Sequence, residues 1–412
     1  MLHITHTTCT THSPLRTHRT LLLLIIVGAL LIRLPWLTAP DPVGDLELAA
    51  RRMGFLHAEG LAGSYLYHGD YMPLRLYLLY GLSQLVEPLG GGFHAPLPPV
   101  TLILVKIPAL FADLATAVLI FTWSVRWQSP RRSAVIAMLY AASPPIWINV
   151  AWWGQVDALL MLPLVGMVTT LDRAHGRWGW LWWAVALAIK PQAIVFAPLL
   201  YAATLRLHGT RGLVEGSAIA IGSMILFCTP LVVAGEGPGL MQAYFGSVGR
   251  FPKLTIGAYN LWHLMTWGHG GNDDALLWGS ISYRAVGMMM VGGVAAAVMI
   301  ALLRQATPVR RAMAGAGLGL GFFLFPTQIH ERYLFLSLAF VALLIAYNPR
   351  FVLLYLLLIT TATVNIFATL DGFLPHVTPL LAHPALSLGC ALLNIAAVVV
   401  LMGRMWGEEG VV

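Results

Sequence analysis

Residues 20–37 read TLLLLIIVGALLIRLPWL, and residues 351–359 read FVLLYLLLI. Runs this apolar, with one arginine between them, suit a hydrocarbon core rather than a water-facing fold. The rest of the chain extends the pattern. Of 412 residues, 58% are hydrophobic and 10% charged, and the mean hydropathy is +0.77. A soluble domain carries about a quarter charged residues to solvate its surface. The composition excludes such a surface and predicts an all-α, polytopic integral membrane protein.

The three cysteines, Cys9, Cys228 and Cys390, form no metal-like or disulfide spacing. The net charge of +7 raises the question of a nucleic-acid partner. Its concentration as arginine in short loops reads instead as the positive-inside rule, and no nucleic-acid partner is expected. The first apolar segment follows basic residues as a signal peptide would. Arg33-Leu34-Pro35-Trp36 stands where a small-residue cleavage site would be needed, so a retained span is expected. The polar tail before it carries His3, His6, His12 and His18 at spacings that share no helix face. A disordered tail is expected there rather than a metal site.

Candidate spans are 20–37, 100–124, 133–150, 156–171, 178–189, 191–205, 213–234, 282–303, 312–327, 333–347, 350–369 and 385–403. Several fall short of the ~20 residues that cross a bilayer unaided. Short helices are tolerated where protein packs around them or a cavity adjoins them. With these spans, the arginine-bearing connections fall on one side: the tail to Arg19, then 126–132, 172–177, 206–211, 304–311, 349–350 and the end from Arg404. The alternation predicts about 12 crossings with both termini in the cytoplasm. The organisation expected is a cytoplasmic tail 1–19, one transmembrane domain 20–403, and a cytoplasmic end 404–412. Residues 74–88 are apolar enough to enter the membrane. A full crossing there would put Arg126, Arg131 and Arg132 outside, so an interfacial or partly inserted segment is expected.

That topology leaves the other polar clusters on the outer face. A long first outer loop, 38–99, opens with Gly44-Asp45-Leu46-Glu47 and continues through Arg51-Arg52 to Asp70-Tyr71-Met72-Pro73. Asp45, Leu48, Arg52 and Phe55 have helical spacing, predicting an amphipathic helix over 45–59 lying on the membrane. Asp45 then sits at the positive end of the helix dipole, either as its N-cap or as a functional carboxylate. Trp152-Trp153-Gly154-Gln155-Val156-Asp157 reads as an interfacial belt with an N-cap, or as part of a site. Lys190, between an apolar run and Pro191-Gln192, either snorkels to the interface or meets a phosphate or carboxylate. His330-Glu331-Arg332-Tyr333 is either an interfacial anchor or an anion site, since an Arg fork and a His can bind one phosphate. Lys106 and Asp113 share a helix face but lie ~10 Å apart along the axis. Asp113 is expected to pair with a basic or amide group of a neighbouring helix, in a structural role.

At these residues the sequence resembles the GT-C superfamily of membrane glycosyltransferases, nearest the bacterial proteins related to GPI-anchor mannosyltransferases. The endoplasmic-reticulum glucosyltransferases that build the dolichol-linked oligosaccharide are more distant. The resemblance runs through Gly44-Asp45, Asp70-Tyr71-x-Pro73, Trp153-Gly154-Gln155-x-Asp157, Lys190-Pro191-Gln192, Asn260-Leu261-Trp262 and His330-Glu331-Arg332-Tyr333. Met72 departs from the commoner Asp-Tyr-Pro-Pro. The resemblance implies a GT-C-like bundle, an acidic catalytic base in the first outer loop, and a polyprenyl-phosphate sugar entering from the membrane. It puts the base at Asp45.

The chemistry suits such residues. Glu47 and Asp157 are the reserve candidates for the base. A base positioned on an acceptor hydroxyl contributes about 10²–10⁴-fold, and a departing phosphate needs preorganised positive charge. Lys190, His330 and Arg332 are the candidates for that charge. Asp70, Tyr71, Trp153, Gln155, Gln192, Asn260, Glu331 and Tyr333 are expected in support. No carboxylate-rich metal cage is evident, so neither a metal nor a cofactor is expected. The expected partners are membrane lipids, the lipid-linked sugar and a glycan or glycolipid acceptor. The expected location is a bacterial plasma membrane with the site on its extracytoplasmic side. The rival class is a transporter or flippase, with charges near the bilayer midplane and access from both faces. Charges gathered at one surface beside a long outer loop favour the enzyme.

Overall fold

A computed structural model of the protein describes residues 14–66, 70–171, 176–246, 249–370 and 372–407. The tail residues His3, His6 and His12 lie outside the described residues, as do His68 and the end from 408. The backbone is almost wholly helical. The sheet among the described residues is a small antiparallel hairpin, Leu276–Trp278 with Ile281–Ser282.

Among the described residues, six helices have the length and apolar composition to cross a membrane: Thr17–Trp36, Pro99–Ser124, Pro191–Val233, Tyr283–Arg304, Phe351–Thr369 and Pro384–Gly407. Pro130–Ala141 and Pro144–Trp152, bent by 56°, make a seventh if they form one span. The bend falls where Pro144-Pro145 interrupts the hydrogen-bond ladder. The Ala197–Val233 helix is itself two, because Gly209 breaks it with φ 65° and ψ −167°. Shorter apolar helices occupy Asp157–Thr170 and Phe335–Tyr347. Each expected candidate span therefore falls on helical backbone. Among the described residues the protein is mostly all-α, with six or seven helices of membrane-spanning length.

Local chemistry sets many of the helix boundaries. Pro73, Pro99, Pro130, Pro308 and Pro384 begin helices, where a missing N–H costs nothing. Ser129, Ser282 and Thr307 cap with side-chain oxygens that accept from Arg132, Ala285 and Arg310 N–H.

Burial separates central from peripheral helices. In the Pro99–Ser124 helix 61% of the most apolar window is buried, against 17% in Pro191–Val233 and 22% in Tyr283–Arg304. The Pro191–Val233 helix turns Val214, Ile221, Ile225, Leu226 and Val233 outward, and Tyr283–Arg304 turns out Met288, Met289 and Ile300, a large contiguous apolar exterior of the kind that marks an interaction surface. Inside, Arg33 pairs with Asp113 at 2.5 Å, both fully buried. This is the basic partner expected for Asp113. Lys106 instead donates to the Trp36 and Ala39 carbonyls at 2.8 and 2.7 Å, closing the turn after the first span.

The segment 38–99 carries the Asp45–Glu59 helix, with the bounds expected, and the Pro73–Val86 helix. The latter has 14 residues, about 21 Å at 1.5 Å per residue. That is too short to cross a ~30 Å hydrocarbon core alone. The arginines expected in the cytoplasm gather elsewhere: Arg206, Arg304 and Arg310 surround one basic cavity with Trp406.

Candidate functional site

Asp45 is the first residue of its helix, but it is not the cap. The Asp41 carboxylate accepts from the backbone N–H of Asp45 and Leu46, at 2.8 and 3.0 Å. Gly44 before it takes φ 83°, a left-handed turn that an L side chain would strain. With the helix end satisfied by Asp41, the Asp45 side chain is released for other contacts. Its Oδ2 accepts from Trp153 Nε1 at 2.8 Å and from Gln155 Nε2 at 2.6 Å. Oδ1 makes no hydrogen bond among the described residues.

Gly154 makes that pairing possible. Its φ is 75°, and a Cβ there would lie 2.3 Å from Leu46 Cδ2. The reversal lets the residues on both sides of it, Trp153 and Gln155, reach the same carboxylate oxygen. A side chain at 154 would push the 153–155 turn away from the Asp45 helix.

Behind these residues lies a buried ionic network. Asp157, at the start of the Asp157–Thr170 helix, takes Lys190 Nζ at 2.5 Å, Asn149 Nδ2 at 2.9 Å and Arg332 Nε at 3.7 Å. Arg332 NH1 also bonds Glu331 Oε1 at 2.9 Å. Its guanidinium lies 4.9 Å over the Trp153 ring, whose N–H holds Asp45. Lys190 stands 5.1 Å from the Tyr333 ring centre, and Gln192 reaches the Tyr333 hydroxyl at 3.4 Å. Burial raises the Glu331 pKa, but the His330 hydrogen bond and the Arg332 charge outweigh it and hold the carboxyl below its ordinary range.

A cavity of about 540 Å³ adjoins this network. Asp45, Lys190 and Arg332 all line it, as do Gln155, His330 and Tyr333. Gln192, Asp70 and Tyr71 complete the expected residues on its wall. Trp153, Asp157 and Glu331 stand behind the wall and hold it. Glu47 is exposed and not part of the lining. Asn260 is fully buried, and its Oδ1 caps the Leu261–Met265 helix by accepting from Trp262 and His263 N–H. Among the described residues, no group of three His, Cys, Asp or Glu is arranged to hold a metal.

Arg52, named in the sequence only for its helical spacing with Asp45, lines the cavity, as do Arg75, Arg250, Arg284 and Gln328, none of which the sequence marks out. Arg52 lies seven residues after Asp45, and its helical spacing was the available signal. Arg75 and Arg250 arrive from separate elements and leave no such trace. Gln328 adopts φ 63°, a conformation rare outside glycine. Its amide reaches Asp273 Oδ2 at 2.7 Å and accepts from Gly249 N–H at 3.1 Å. Asp273 also holds Arg284 through two bonds of 2.8 and 3.0 Å and Thr327 at 2.7 Å. One carboxylate, Asp273, thus fixes the cavity rim.

No protein-family model matches the chain, and a comparison with curated proteins gives no match.

Proposed function

We propose that the protein is an inverting GT-C-type glycosyltransferase. It moves a hexose, mannose being favoured, from a polyprenyl-phosphate carrier to a lipid-linked or cell-envelope acceptor. The helical segments are read as about 12 crossings, with the cavity on the extracytoplasmic face of a bacterial plasma membrane. The observation that carries the reading is the position of Asp45: a carboxylate with one oxygen held by two neutral donors and the other unbonded, on a cavity shared with several cations.

In this reading Asp45 takes the proton of the acceptor hydroxyl. The acceptor oxygen forms a bond to the anomeric carbon from the face opposite the carrier. The bond from that carbon to the phosphate oxygen breaks, and polyprenyl phosphate departs with the electron pair. Trp153 and Gln155 fix the carboxylate without neutralising it, so it remains a base when the acceptor arrives. The departing charge meets preorganised cations in a partly dry site. Lys190, His330 and Arg332 face that space, although Lys190 and Arg332 already have carboxylate partners.

The test is transfer by the purified protein. A radiolabelled polyprenyl-phosphate mannose or glucose should give glycosylated lipid product, and a nucleotide sugar offered without lipid carrier should give none. Efficient use of the nucleotide sugar would reject the reading. Movement of labelled lipid between leaflets without sugar transfer would favour a flippase.

A further inference from the structure

The cations around the cavity are unequally compensated. Lys190 and Arg332 face two buried carboxylates, Asp157 and Glu331. Arg284 faces Asp273 and Asp274. Arg52, Arg75 and Arg250 have a single carboxylate among them. Asp70 takes Arg250 NH1 at 2.7 Å and Arg52 NH1 at 3.2 Å. Arg75 makes no ion pair or hydrogen bond among the described residues. Its guanidinium lies 3.2 Å from the centre of the Tyr71 ring, and that of Arg52 lies 3.8 Å from the same centre. The Nε atoms of Arg52 and Arg75 are buried without an acceptor. Two guanidinium groups held against one ring repel each other, and unpaired buried donors are costly. A ligand with two negative charges and several acceptor oxygens would relieve both.

The geometry points to Arg52, Arg75 and Arg250 as the seat of the carrier phosphate, tuned to the released polyprenyl phosphate rather than to the sugar-loaded donor. The identification of the anion as a lipid carrier rests on the transferase reading; the existence of the seat does not. Three arginines against Asp70 leave an excess of two positive charges. The donor is a phosphodiester with one negative charge. When its bond to the anomeric carbon breaks, the phosphate gains a second charge, which persists in the free monoester above a second pKa of about 6. A seat with two surplus charges therefore interacts more strongly with the leaving group than with the donor, which is the condition for accelerating the step. The same preference makes the released carrier a product inhibitor. Guanidinium forks suit phosphate oxygens better than an ammonium does.

The experiment uses the full-length protein in detergent, with sugar-free polyprenyl phosphate, uncharged polyprenol and inorganic phosphate as probes. Wild type should bind polyprenyl phosphate at least tenfold more tightly than polyprenol, and the preference should grow as pH rises from 5 to 7.5. Arg75→Gln should lose most of that preference and its pH dependence while binding polyprenol unchanged. Arg250→Gln should do the same; its side chain is 36% exposed, so it guards against a folding failure at Arg75. If both variants keep the wild-type preference and pH dependence, the seat is elsewhere, and the transferase reading survives. If polyprenyl phosphate shows no preference but inorganic phosphate binds and needs Arg75 or Arg250, the seat stands and the lipid-carrier reading falls. If neither anion binds the wild type, the seat is refuted.

Discussion

The indole N–H of Trp153 donates to Asp45 Oδ2 at 2.8 Å, joining residues 108 positions apart in the chain, and the face of the same ring lies under Arg332. One side chain thus touches the candidate base through its edge and, through its face, the arginine that pairs with Glu331 and Asp157. Trp153→Phe keeps an aromatic face and removes the N–H. It should reduce turnover by roughly tenfold, less than loss of the carboxylate itself, because Gln155 still holds Oδ2. The check is kcat against donor KM: a fall in kcat with KM unchanged is expected, and a change in KM alone would show that the ring only packs.

Asp45→Asn should remove turnover by about 10²–10⁴-fold while leaving donor binding and folding intact. The helix end does not depend on Asp45, since Asp41 caps it. Asp41→Ala should do the reverse, costing about 0.5–2 kcal/mol of stability and leaving residual turnover in the folded fraction. Steady-state kinetics beside thermal unfolding separate the two. Near-normal turnover in Asp45→Asn would place the base elsewhere, and Glu47→Gln and Asp157→Asn would then be assayed.

Arg332→Ala leaves Glu331 and Asp157 buried with fewer partners, and should destabilise the protein by about 3–5 kcal/mol. Arg332→Lys should recover part of this, since an ammonium cannot bond Glu331 and approach Asp157 as one fork does. Lys190→Met should be similarly harmful alone. Combined with Asp157→Leu it should cost less than the sum of the two single changes, because the stranded charge is gone. Unfolding in detergent, read by tryptophan fluorescence, tests the cycle.

Acid should loosen the cavity rim. Burial raises the Asp273 pKa, but hydrogen bonds from Arg284, Gln328 and Thr327 outweigh it and leave the carboxyl below its ordinary value. A group depressed in the folded state contributes stability that is present above the unfolded pKa, about 4 for aspartate. That stability is lost as pH falls through the lower folded value. The Glu331 carboxyl, also depressed, adds in the same direction. The melting temperature should therefore be flat near neutrality and fall below about pH 4. Asp273→Asn should lower it at neutral pH and weaken its dependence on acid.

Single cysteines in a background lacking Cys9, Cys228 and Cys390 test sidedness. Arg131, Arg211 and Gly271 are all exposed, so burial does not shield them. An impermeant reagent on intact cells should label a cysteine at Gly271 and spare those at Arg131 and Arg211. Labelling of both arginine sites from outside would overturn the proposed orientation.

The mostly helical fold and its long apolar helices are legible in the residue order, because hydrophobicity and charge spacing act locally and add along the chain. That order placed the spans on what proved to be helix, the amphipathic helix at 45–59, and the need for a partner at Asp113. It also supplied part of the cavity wall: Asp45, Lys190 and Arg332 were legible as charges set beside apolar runs. Which charge faces which was not legible. Ion pairing acts over a few ångströms in space, and Lys190 finds Asp157 across 33 residues as Arg332 does across a still longer separation. It is the packing in three dimensions that makes Asp41 rather than Asp45 the cap, turns Asn260 to capping a helix off the cavity lining, and brings Arg75 and Arg250 beside Arg52. A charge balance is a property of positions in three dimensions, and the linear order of residues does not contain it.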